Sequence, residues 1–334
     1  MKALRITLRS RAGTVLAAAL LIALAFGAYW YTVILKPYTV ERMTFVTNVV
    51  AGTTNDEPVD VEATLYIPKN AQFPLSAMII MPSSSGVDDV REIYYAEQLS
   101  RAGIAALVVD SYSARGLADS VYDQSAIDVW DMENDAIAAL ARLAEDRRFR
   151  RDRIAIMGVS KGGTTAMNNA FTSRRRWMGV RDVAFAAHVA ISPDCTWIMR
   201  RTRTTGAPIM FLLAELDDQT PVQPCLALAD RIRKAGNQQV HVKIYKDAHH
   251  AWEDLGSKPI YDDRAENYAQ CRVWVENDGR MISADTGKIV PENDWHSWAK
   301  KNCMTLGATC CGGTRRNKAA ATQDIIEFLR RRGF

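Results

Sequence analysis

The segment Ile154-Ala-Ile-Met-Gly-Val-Ser-Lys-Gly-Gly163 constrains this chain more than any other. A short apolar run feeds Gly158-Val159-Ser160-Lys161-Gly162, and a stretch with helix-forming character follows. That order predicts a strand, a sharp turn and a helix, with Ser160 on the turn. Side chains two places before and two places after the serine would collide in such a turn, and Gly158 and Gly162 remove them. Ser160 then stands at a helix N-terminus, where backbone N–H groups and the dipole favour negative charge. A five-residue Gly-x-Ser-x-Gly string is common by chance. Its weight depends on a base and an acid following it in a workable order.

Only five histidines exist, so elimination is informative. His188 and His241 lie in strand-like segments, and His296 sits in a polar, Trp-rich stretch that does not read as core. His249 and His250 follow the strand expected at Gln239–Tyr245, on a loop from which an imidazole can reach a serine and an acid together. For the acid, Ala207–Leu213 is a continuous apolar run, as expected of a strand buried on both faces of a parallel sheet. Asp217 and Asp218 leave it. One of them holds the imidazole and the other is read as a solvated or capping turn residue; Asp194 is a third, weaker candidate.

With these residues in place the chain resembles the dienelactone hydrolase family of α/β-hydrolases, over roughly residues 60–255 plus the final helix. The family pattern of an Asp four residues before a Pro selects Asp217, with Pro221 as that Pro. Its catalytic histidine is followed by a small residue and an aromatic, which matches His250-Ala251-Trp252 and brings Trp252 to the substrate. Asp110-Ser-Tyr-Ser-Ala-Arg115-Gly116 resembles a family loop whose Arg faces the substrate, so the resemblance implies an anion contact at Arg115. Three departures stand out. Ser160 replaces the cysteine nucleophile of the dienelactone-cleaving branch; Met81-Pro-Ser-Ser-Ser-Gly86 stands where that branch carries a glutamate; and Trp252-Glu253-Asp254 follow the histidine where it carries an Arg. The resemblance therefore implies a serine-type carboxylic ester hydrolase rather than cleavage of dienelactone itself. Ser83-Ser84-Ser85-Gly86 follows the strand Ser76–Met81, where esterases place the loop that donates one oxyanion N–H. Backbone N–H groups at Ser84 and Lys161 are the expected donors. Neither a metal nor an organic cofactor is expected. Two rival readings share these residues: an acyltransferase, and a non-catalytic tethered binding protein with an occluded Ser160.

The N-terminus bears on compartment. Lys2, Arg5, Arg9 and Arg11 precede an uncharged stretch from Ala12 to Leu35 that ends in Tyr29-Trp30-Tyr31 and is followed by Lys36-Pro37. That reads as a signal anchor over residues 1–36 with the remainder outside the cytoplasm, periplasmic or extracellular. A cleaved signal peptide is the rival. Six cysteines, Cys195, Cys225, Cys271, Cys303, Cys310 and Cys311, agree with an oxidising space. Cys195 and Cys225 follow neighbouring core strands and are placed to bridge near the acid loop. The other four lack zinc-site spacing.

The βα alternation from Val59 to the closing helix Ala319–Arg331 predicts one α/β catalytic domain over 37–334, an α/β-hydrolase fold with a mostly parallel, doubly wound sheet. A Cys-rich insertion spans about 255–318. Within it Cys271–Glu276, Asn277-Asp278-Gly279 and Arg280–Ser283 read as a hairpin, and Trp274, Trp295 and Trp298 read as a small core, with the walls of a substrate pocket as the alternative. The net charge of +4 is small, and Arg174–Arg176 and Arg200–Arg203 read as solvated loops. No aromatic-interleaved basic surface points to nucleic acid. The expected partners are a small ester and, through the N-terminal helix, a membrane.

Overall fold

The computed structural model describes residues 13–24, 27, 36–47, 57–180, 182–254, 258–291, 294–311 and 314–334. The expected anchor over 1–36 lies mostly outside them. Its described part, 13–24, is an exposed helix, and among the described residues no helix is long and apolar enough to cross a membrane.

Eight strands form the central sheet: β1 (Tyr38–Val46), β2 (Asp60–Pro68), β3 (Leu75–Met81), β4 (Ala105–Asp110), β5 (Phe149–Val159), β6 (His188–Ile191), β8 (Ile209–Ala214) and β9 (Val240–Tyr245). A short strand, β7 (Trp197–Met199), lies outside it. The spatial order is β1-β2-β4-β3-β5-β6-β8-β9. From β4 to β9 all pairs are parallel, while β1–β2 and β2–β4 are antiparallel. The sheet is therefore mixed, with the expected parallel centre. β3 and β8 are buried at every position, which is why they read as unbroken apolar runs. β9 at the edge is buried only at its ends and exposes His241, Lys243 and Ile244.

Helix α1 (Tyr94–Arg101) packs on one face with the closing helix Arg315–Arg330, around Leu99, Ile325 and Phe328. Helix α2 (Val129–Glu145) covers the other face with Met132, Ala136, Leu140 and Leu143, at helical spacing. Each fully buried Met or Leu among them contributes about 1.5–3 kcal/mol. α3 (Lys161–Asn168) leaves β5 directly, and α4 (Thr172–Trp177) and α5 (Val222–Lys234) complete the helical layers. α3 ends at Asn168, before the short α4 begins. Arg174 and Arg175 are buried rather than solvated: Arg174 Nε donates to buried Glu133 at 3.1 Å and its guanidinium lies over Trp130.

The insertion is ordered around two small sheets. β10 (Ile260–Asn267) pairs antiparallel with β14 (Thr305–Cys310). The expected hairpin forms from β11 (Val273–Val275) and β12 (Met281–Ser283), extended by β13 (Ile289–Val290), and β11 docks in parallel on β7. α6 (Trp295–Asn302) follows, and the closing helix is α7 (Arg315–Arg330). Disulfides join Cys195 to Cys225, Cys271 to Cys303, and the adjacent Cys310 and Cys311.

The Cys195–Cys225 bridge closes a loop with a sequence separation of 30 residues, from the end of β6 to α5. Chain-entropy arguments give such a closure about 3–4 kcal/mol. Replacing both cysteines by Ala should lower the urea unfolding free energy by that order, and a loss under about 1 kcal/mol would contradict this account.

Candidate active site

The β5–α3 turn forms as the glycine pattern predicts. Ser160 has φ 54° and ψ −118°, a strained conformation for a residue with a side chain. A Cβ on Gly158 would lie 2.4 Å from the Gly162 carbonyl carbon, and one on Gly162 would lie 2.3 Å from the Met81 carbonyl oxygen. Only bare Cα atoms allow β3, β5 and α3 to approach this closely. Ser160 is partly exposed and lies between two small cavities, of about 90 and 110 Å³.

The three residues selected from the sequence meet. Ser160 Oγ is 2.8 Å from His250 Nε2, and His250 Nδ1 is 2.9 Å from Asp217 Oδ2. His249 and Asp194 make no contact with this chain of bonds; Asp194 accepts instead from the Thr196 N–H at 2.8 Å. Asp218 is exposed at the turn, as expected of the second aspartate, and also accepts from the Thr309 N–H of β14 at 2.9 Å. Asp217 is saturated by Ser192 Oγ (2.8 Å), Thr220 Oγ1 (2.8 Å) and the Thr220 N–H (2.7 Å). Burial pushes its pKa upward, but the imidazole and the Thr220 donors outweigh burial and hold it below the usual carboxylate range. His250 mirrors this: burial lowers its pKa, and the Asp217 charge and hydrogen bond raise it net above 6.5. Sequence reasoning missed Ser192 and Thr220. Their signal was weak, a hydroxyl just after β6 and one just before Pro221.

The serine turn is fixed from several sides. Glu92 is buried beneath it and accepts from the Ser83 N–H at 3.1 Å and the Asp88 N–H at 3.0 Å. Burial pushes Glu92 up to about 7. Ser84 Oγ donates to Gln124 at 3.0 Å and its carbonyl accepts from the Ser120 N–H at 2.7 Å. The Ser84 backbone thus borders the cavity at Ser160, and Lys161 is the first residue of α3, where N–H groups have no acceptor within the helix.

Two expected substrate contacts are elsewhere. Arg115 is clamped by buried Asp135 through two bonds of 2.9 Å and also donates to the Ser111 carbonyl, so its fork is used structurally. Trp252 is fully buried in the core against Tyr245, with ring centroids 5.2 Å apart. The insertion instead adds Glu266, Tyr268, Trp295 and His296 to the walls of the 90 Å³ cavity, beside Gln124, Asp128 and Trp197. Glu266 is the hub, accepting from the Gln124 N–H (3.0 Å), Tyr268 Oη (2.8 Å) and Lys300 Nζ (2.9 Å). Trp295 both fills the small core and walls the cavity. Among the described residues no cluster of His, Cys, Asp or Glu could hold a metal ion.

Lys161 also has an unforeseen side-chain role. Its buried ammonium donates to Ser120 Oγ (3.1 Å) and to the carbonyls of Gln124 (3.0 Å) and Ile127 (2.8 Å), stapling the 117–128 loop over the site. Burial lowers its pKa to about 8, opposed by the charges of Asp128, Asp131, Glu266 and Asp123. Lys161→Met should leave those acceptors unpaired and cost about 3–5 kcal/mol of folding stability, read by urea denaturation. A change below about 1 kcal/mol would show that the loop is held by other contacts.

The sequence profile of the dienelactone hydrolase family matches residues 61–277. No curated protein matches the chain. Among solved structures, a dienelactone hydrolase-like promiscuous phosphotriesterase from metagenomic libraries is 14% identical, covering 87% of this chain and 98% of its own, with a TM-score of 0.54. A thermophilic esterase from Thermogutta terrifontis is 15% identical over 65% of this chain and 84% of its own, with a TM-score of 0.48. An α/β-hydrolase enzyme from a Medee basin deep-sea metagenome library is 20% identical over 67% and 87%, with a TM-score of 0.46. The profile match covers well over half of the sequence, and the chain belongs to the dienelactone hydrolase family, as a hydrolase acting on ester bonds.

Proposed function

We propose that the chain is a serine carboxylic ester hydrolase working through an acyl-enzyme on Ser160. The observation that carries the reading is the unbroken line from Ser160 Oγ through the His250 imidazole to Asp217, with steps of 2.8 and 2.9 Å. Ser160 Oγ attacks the ester carbonyl as its proton passes to His250 Nε2. Asp217 holds the Nδ1–H tautomer and stabilises the imidazolium. The oxyanion is received by the N–H groups of Lys161 and Ser84. One such donor is worth roughly 3–4 kcal/mol in the transition state. His250 returns the proton to the leaving alcohol, and water then releases the acid by the same route.

Ser160 borders two cavities, which supports catalysis over the occluded binding scaffold. Three disulfides and the basic, then apolar, N-terminal pattern support an extracytoplasmic setting tethered to a membrane through residues 1–36.

A fluorophosphonate probe should label Ser160, read by peptide mass. Labelling should vanish in Ser160→Ala, and His250→Ala should lower p-nitrophenyl acetate turnover by at least about a thousandfold. A folded, disulfide-intact protein that takes no label would overturn the proposal. The acid limb of kcat/KM should follow His250. Because its pKa is raised, the neutral base is lost as pH falls through a midpoint above the ordinary imidazole value, and a limb centred below that value would contradict the dominance of Asp217 over burial.

A further inference from the structure

A third, larger cavity lies beside the two at Ser160. Its volume is about 590 Å³, and it shares Asp128, Trp295 and His296 with the 90 Å³ cavity. Trp295 stands between them, edge-on to Trp197 of the inner cavity at 5.5 Å and stacked on Trp298 at 5.8 Å. His296 gives its Nδ1 to the Tyr268 hydroxyl at 3.2 Å. Its Nε2 has no hydrogen-bond partner and lies 3.6 Å from Asp128 Oδ2.

The lining narrows the ligand. Indoles of Trp177 and Trp295 contribute apolar surface, and Asp278, Asp294, Arg280 and Lys300 contribute charge and hydrogen-bonding groups. A fatty acyl chain would strip water from the Asp278–Arg280 ion pair and from Lys300, already paired with Glu266, and would return no hydrogen bond for the lost hydration. An anion would face three carboxylates, Asp128, Asp278 and Asp294, against two cations. A neutral ring with an apolar face and a hydroxyl edge satisfies both halves of the lining. The 110 Å³ cavity, framed by Ser84, Ser160 and His250, is of a size that suits a short acyl group.

We propose that the outer cavity is a subsite for a neutral, polyhydroxylated ring, so that the ester cleaved is a short acyl group on a carbohydrate hydroxyl. This rests on the ester-hydrolase reading above. The bond between the acyl carbon and the sugar oxygen breaks, His250 returns its proton to that oxygen, and water later releases the short acid from Ser160.

The test uses the full chain with methyl β-glucoside, cellobiose, xylobiose and maltose as unesterified probes. At least one should quench tryptophan fluorescence saturably and compete with p-nitrophenyl acetate. Its acetylated form should exceed ethyl acetate in kcat/KM by about tenfold or more. Trp177→Ala should lower that ratio by about tenfold, and so should Asp278→Ala, at an exposed turn where folding is not at stake. Hydrolysis of the aryl ester with no sugar binding and no sugar preference would overturn the subsite and leave the ester reading standing. Saturable sugar binding without hydrolysis of any ester would support the subsite and place the failure in the proposed chemistry.

Discussion

The approach of α3 to the end of β3 is the contact on which the site depends. Gly162 sits where a Cβ would meet the carbonyl oxygens of Met81 and Pro82 at 2.3 and 2.5 Å. That proximity forces Ser160 into its positive φ and sets the first N–H of α3 opposite the turn that follows β3. Nucleophile and oxyanion donors are therefore positioned by one packing event rather than by separate loops. The strained residue costs about 1–3 kcal/mol, a cost carried by the apolar layers on both faces of β3 and β5.

The insertion completes what the sheet begins. The acid and the histidine stand on loops past β8 and β9, the edge side of the sheet, where fewer neighbouring elements constrain them. β14 ties both down. Thr309 donates its N–H to Asp218, and the Cys311 N–H donates to the His250 carbonyl at 2.7 Å. β10 adds Glu266, whose carbonyl accepts from Gln219 Nε2 at 3.2 Å and whose carboxylate holds Gln124 over the serine. Cutting out the insertion would leave Asp217 and His250 without their outer supports.

Local pattern made Ser160, Asp217 and His250 legible: two glycines about a serine, an apolar run ending at paired aspartates, a loop histidine after a strand. The parallel centre of the sheet was legible for the same reason, since strands such as Ile209–Ala214 are buried on both faces. What stayed hidden is settled by partners distant in sequence. Arg115 is taken by Asp135 on α2, a residue that reads in sequence as one more polar position of an amphipathic helix. Trp252 turns into the core because Tyr245 and the α7 layer receive it. Strand β1, Tyr38–Val46, was not foreseen, because its mostly exposed positions give no clean alternation. The walls contributed by Glu266, Tyr268 and His296 come from a segment whose docking on β7 has no periodic signature.

Buried charge explains how these loops keep their geometry. Arg174–Glu133, Arg115–Asp135 and Arg91 with Asp254 are ion pairs in which at least one partner is almost fully buried. Such pairs add little net stability over apolar replacements of the same shape, because desolvation offsets the attraction. Their effect is orientation, since a charge without its partner is far costlier than the pair. Arg115 fixes the loop after β4 to α2, and Arg174 fixes α4 to the same helix. Arg91 joins the turn below Ser83 to the segment just after His250. Each pair therefore spans two elements and resists their separate movement. The apolar sheet supplies the stability, and the ion pairs together with the insertion hold the registry that brings a serine, an imidazole and a carboxylate into one line.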